Sequence, residues 1–149
     1  MNIPKLNRFS HQFAEILFSQ FPMLTEYSKH DTAHPGSLLV ELSAPIERPD
    51  AKLWVCTDNE EVTVGFGLYH EHFDWPSDPP DDPMTFIRLI LSDKLLIYSL
   101  YRGGKWAQST TFKPDERLDR SSLKEGDRIT ILSWSGRLDK QFGVDDGAV

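Results

Sequence analysis

Apolar residues along the chain switch between two spacings, and the switch points mark out the elements. Leu6, Phe9, Phe13, Ile16, Leu17 and Phe21 recur at three and four residues, the period of one helical face. Pro4 suits a first helical turn and Pro22 stops a helix, which predicts a helix over about residues 4–20. Ala14 and Phe18 widen its stripe, as expected of a helix lying on a sheet. Residues 23–36 hold no sustained period and read as a connection with room for one short extended piece. Leu38–Leu42 and Leu53–Thr57 then read as strands, the first ended by Ala44-Pro45. Asp58-Asn59-Glu60 is turn chemistry, so the next strand should pair antiparallel with the one before it.

That next stretch organises the expectation. From Val62 to Trp75 the period is two, and a single long strand would place Val62, Val64, Phe66 and Leu68 on one side. His70, His72 and Asp74 continue the same row, while Tyr69, Glu71, Phe73 and Trp75 face the other way. The apolar side would run through the core and emerge carrying two imidazoles and a carboxylate. Gly65 and Gly67, opposite that row, either let another group pack closely or let the strand bend. Glu60 and Glu61 would stand at the far end, away from the acidic residues that follow Asp74.

Pro76–Pro83 holds four prolines and three aspartates and excludes regular structure. Asp82 before Pro83 is a helix start, a capping carboxylate followed by a preset first position. Phe86, Ile87, Ile90 and Leu91 give the buried face of a short helix over about 83–92. Lys94–Tyr101 and Trp106–Phe112 flank Arg102-Gly103-Gly104-Lys105, a two-glycine hairpin turn. Lys113–Asp127 is polar, with room for a turn of helix near Ser121-Ser122-Leu123. Arg128–Trp134 is a last strand, and Ser135-Gly136-Arg137 a bulge or turn. The order predicts one α+β domain over residues 1–149. Its mostly antiparallel sheet has five to six strands, with the N-terminal helix and the short second helix packed on it.

Composition narrows the function. With 149 residues, 39% hydrophobic and 26% charged, the chain has the makeup of a globular protein. A formal charge of -7 repels phosphate and disfavours nucleic acid, while favouring a basic protein partner. No apolar run approaches a membrane span, and Met1-Asn-Ile-Pro-Lys lacks the pattern of a signal peptide. One cysteine, Cys56, rules out an internal disulfide, and a cytoplasmic location is the expectation.

Two clusters carry candidate chemistry. His70, His72 and Asp74 would sit about 6–7 Å apart along one strand side, close enough to converge on zinc or another divalent metal. Glu71 or Asp78 would be at hand as a base. The opposing expectation is a strand end whose histidines bond to neighbours or water. Glu71, Asp74, Trp75, Asp78, Asp81 and Asp82 form the second cluster, an acidic loop beside an aromatic anchor that could dock on a basic partner. Its alternative is a solvated turn plus a helix cap, with Tyr69, Phe73 and Trp75 covering the sheet's second side. There is no Gly-x-Ser-x-Gly and no glycine-rich strand-to-helix loop.

Gly65–Pro76, followed by a short helix, Tyr101–Trp106 and Ser133–Asp139, resembles small, mostly uncharacterised bacterial proteins over roughly residues 50–142. Some proteins of this size and acidity are immunity partners of polymorphic or contact-dependent toxins. The resemblance implies a cytoplasmic binder that blocks a toxin, possessing no catalysis of its own. A non-enzymatic binding protein is therefore the first expectation, and a metal-binding domain or metal-dependent enzyme the alternative.

Overall fold

The structure is a computed structural model that describes residues 5–77 and 82–143. Helix α1 (Arg8–Gln20) begins later than its period suggests, because Asn7 is the cap: its side chain accepts the Ser10 N–H at 2.8 Å. Pro4, expected in the first turn, lies outside the described residues. Phe13, Ala14 and Leu17 are buried. A 3-10 helix (Pro22–Tyr27) starts at the proline that stops α1.

Five strands then form one antiparallel sheet in chain order, β1 (Ser28–His30), β2 (Leu38–Ser43), β3 (Lys52–Asp58), β4 (Glu61–Phe66) and β5 (Tyr69–Asp74). Helix α2 (Pro83–Leu91) follows, capped by Asp82, whose carboxylate accepts the Met84 N–H at 3.0 Å. A second sheet takes the order β7-β6-β8-β9, with β6 (Leu96–Arg102), β7 (Lys105–Phe112), β8 (Asp127–Leu132) and β9 (Lys140–Gly143). The α+β class, both helices and the antiparallel pairing are as the pattern predicts. The strands exceed the expected number because β1 and β9 are too short to stand out and the one strand expected over Val62–Trp75 is two, β4 and β5, and they divide into two sheets.

One face of the first sheet is the main core. Leu38, Val40, Leu53, Val55, Val62, Val64 and Phe66 lie under α1 and α2, with Phe13, Leu17, Met84, Ile87 and Ile90 above them. A buried hydroxyl pair crosses this layer: Ser10 Oγ of α1 meets Thr57 Oγ1 of β3 at 2.5 Å, and Thr57 also accepts the Leu38 N–H. The second sheet joins the same core through Ile97 and Trp134. Its far side holds a smaller cluster of Leu96, Tyr98, Leu100, Ile129, Ile131 and Phe142, covered by Leu118 and Leu123 of the 113–126 segment. Ser121-Ser122 is a turn there and not a helix.

Arg48, in the β2–β3 loop, ties the two sheets together. Its guanidinium donates to the Ser133 and Trp134 carbonyls at 2.9 and 3.0 Å and to the Asp139 carboxylate. Asp139 in turn accepts the Ser133 N–H and hydroxyl. Among the described residues, no helix is long and apolar enough to cross a membrane.

Candidate functional site

The stretch from Val62 to Asp74 is a hairpin and not one strand. Gly67-Leu68 is a two-residue turn with Gly67 at φ 63°, the left-handed value that glycine takes most readily. The turn reverses the chain and exchanges the sides. Phe66 pairs with Tyr69, Val64 with Glu71 and Val62 with Phe73, and directly opposed residues share a face. Tyr69, Glu71 and Phe73 therefore lie on the helix-covered side. His70, His72 and Asp74 point to the other side, which corrects the expectation that they continue the valine row.

The same turn moves Glu61. It pairs with Asp74 and stands beside Asp58, so three carboxylates run across β3, β4 and β5. Glu61 was expected at the opposite end from Asp74, and the hairpin closes that distance. Glu71 faces away from Asp74, so the structure separates two members of the expected acidic set. Asp82 is spent on the α2 cap, and Asp78 and Asp81 lie outside the described residues. Trp75 packs edge-on against Phe9 and Phe13 at 5.8 and 5.3 Å, and Phe73 meets Phe86 at 5.7 Å. These aromatics cover the sheet beneath the helices.

The outward side of β2–β5 has three rows. Trp54 is opposite Gly65, which is opposite His70, and the indole lies across the glycine to within 5.8 Å of the imidazole. Both uses expected of the two glycines occur: Gly65 admits a close neighbour, and Gly67 turns the chain. In the next row Leu39, Cys56, Thr63 and His72 are paired in register. Asp58, Glu61 and Asp74 form the third. His72 Nδ1 lies 2.8 Å from Thr63 Oγ1 and 2.5 Å from Glu61 Oε1.

The His70 and His72 rings are 5.1 Å apart, centroid to centroid. The carboxylate paired with His72 is that of Glu61, a residue the sequence pattern left out. Its signal was present in Gly67-Leu68, a turn dipeptide hidden inside an apolar alternation. Imidazole and carboxylate are zinc-type donors. Among the described residues, however, no group of three or more His, Cys, Asp or Glu is placed to hold a metal ion. Burial pushes the Cys56 thiol upward, an effect increased by Asp58, Asp31 and Glu61, so it remains protonated and a poor nucleophile.

Beside Trp54 the surface is hollow. A concavity of about 350 Å³ is floored by Leu39, Trp54 and Cys56 and rimmed by Asp31, Glu41 and Asp58. Lys29 holds Glu41 below its usual carboxylate range, with help from Lys52, and Asp31 pairs with His34 at 3.0 Å. Asp58 has no ion pair among the described residues. An aromatic floor with an acidic rim suits a long cationic side chain, whose head is drawn to an indole face and to carboxylates. No protein-family model, curated protein or solved structure matches the chain.

Proposed function

We propose that this chain is a non-enzymatic binding protein that seats a basic segment of a protein partner on the outward side of β2–β5. The observation that carries the reading is the hollow over Trp54, an aromatic floor rimmed by carboxylates, one of which, Asp58, begins the Asp58–Glu61–Asp74 row that leads away from it. Aromatic anchors supply contact area, and rim charges steer encounter and reject wrong partners. Such a face suits an immunity protein that neutralises a toxin by covering its basic cleft. The raised Cys56 thiol supports a role without covalent chemistry.

The test is a pull-down from bacterial lysate at low ionic strength, comparing wild type with Trp54→Ala and with Asp58→Asn/Glu61→Gln. The reading expects a basic protein on the wild type, reduced by both variants and by raised salt. Recovery of no partner, or equal recovery on all three proteins, would end it.

A further inference from the structure

The second sheet turns a polar face toward a cleft, and the register grades that face. Tyr101 of β6 is opposite Arg128 of β8, while one row further along Ser99, Thr130 and Gln141 are aligned across β6, β8 and β9. Ile97 and Leu132 form the next row, where the face reaches the main core. The sheet's other side already buries its apolar residues, so this polar face is not needed for packing. Over it stand the β2–β3 loop with Asp50 and the Gly67-Leu68 turn, enclosing about 610 Å³. Small-molecule sites span roughly 300–1,000 Å³, so the space is of ligand size.

The available groups define the chemistry. Arg48 borders the cleft but is saturated by the Ser133 and Trp134 carbonyls and Asp139. Tyr101, Arg128, Thr130 and Gln141 make no side-chain hydrogen bond or ion pair within the described residues. Burial, and then the charge of Asp50, push the Tyr101 hydroxyl upward, so it stays a neutral donor. Asp50 and Arg128 balance one another, and Lys140, which also borders the cleft, is opposite Ile131 and so belongs to the sheet's other face, which leaves a surface that favours neither a strong anion nor a cation. A guanidinium, a carboxylate and a carboxamide are planar groups with paired donors or acceptors, matched to neighbouring hydroxyls on one ligand.

Aromatic surface completes the set. Trp106 pairs with Tyr101 across the β6–β7 hairpin and is 53% exposed. Its indole N–H donates to Ser109 Oγ at 2.8 Å, and that hydroxyl meets Ser99 Oγ at 2.6 Å, which fixes the ring beside the cleft. The C–H face of a pyranose is apolar and faintly positive, complementary to an aromatic ring face. We infer that this cleft binds a neutral carbohydrate of mono- or disaccharide size. The site is separate from the proposed docking face and does not depend on it.

Calorimetric titration with lactose, maltose, cellobiose and di-N-acetylchitobiose tests the inference, with glucose 6-phosphate and inorganic phosphate as anionic probes. At least one neutral disaccharide should saturate with a Kd of about 1 mM or tighter, and Gln141→Ala and Arg128→Ala should each weaken it roughly tenfold. Both residues are exposed, so the variants keep the fold. Trp54→Phe, on the other sheet, should leave the affinity unchanged. The inference is overturned if no disaccharide saturates, if both cleft variants bind as wild type does, or if only glucose 6-phosphate binds and phosphate displaces it.

Discussion

Trp54 lies flat on Gly65 of the adjacent strand, so near that a Cβ built on the glycine would sit 2.1 Å from the indole Cε2. The ring keeps its place because that strand position has no side chain. Gly65→Ala should therefore displace the indole from His70, shift the tryptophan emission and cost roughly 1–3 kcal/mol through overpacking. Denaturant melts and fluorescence spectra check both effects. An unchanged spectrum would mean that the indole does not depend on the glycine.

Arg48 and Asp139, 91 residues apart in sequence, hold the β2–β3 loop against the β8–β9 connection. Removing one partner leaves the other charge and two carbonyls without their bonds. Arg48→Ala should lower stability by about 2–3 kcal/mol, or roughly 5–10 °C in Tm. Arg48→Lys should recover little, because an ammonium cannot serve several acceptors in one plane. Thermal melts of the two variants measure this.

Thr57 gives the buried layer a sharper test. Thr57→Val keeps the shape but leaves Ser10 Oγ and the Leu38 N–H without their partner. The cost should be about 1–3 kcal/mol, and adding Ser10→Ala should return part of it because one orphaned hydroxyl is then gone. A double-mutant cycle by urea denaturation shows whether the two changes are coupled.

Asp127 sets an acid limb. The Lys124 N–H, at 2.8 Å, and the Arg102 guanidinium hold its carboxyl below the ordinary aspartate value. A carboxylate depressed in the folded state adds stability above its unfolded value, about pH 4, and loses it as pH falls through the folded one. Asp127→Asn should therefore destabilise at pH 7 and flatten the fall in stability below about pH 4. Urea midpoints from neutral to acid pH check the sign.

Much of this architecture is legible in the chain. The spacing of Phe13, Leu17 and Phe21 marks α1, Asp82-Pro83 marks the start of α2, and Gly103-Gly104 marks the β6–β7 hairpin, because each signal is local. β9 was not visible: Lys140–Gly143 has one buried residue, Phe142, and exists only because β8 pairs with it. The outward site was half legible. His70 and His72 do share a side, but which side depends on Gly67-Leu68, where a leucine at the second turn position preserves the apolar alternation and conceals the reversal. Glu61 is distant from Asp74 in sequence and adjacent to it across the hairpin, a relation that only pairing reveals.

The loop at Gly67-Leu68 has an even count, and that parity works as a switch for the whole outward surface. One extra residue there, with the two-residue turn kept so that the register of β5 slips by one, would bring the imidazoles beneath α2 and push Tyr69 and Phe73 into water. Single insertions should be ruinous at this corner, while the Gly103-Gly104 tip, where an added Cβ would meet nothing within 4 Å, has room to grow.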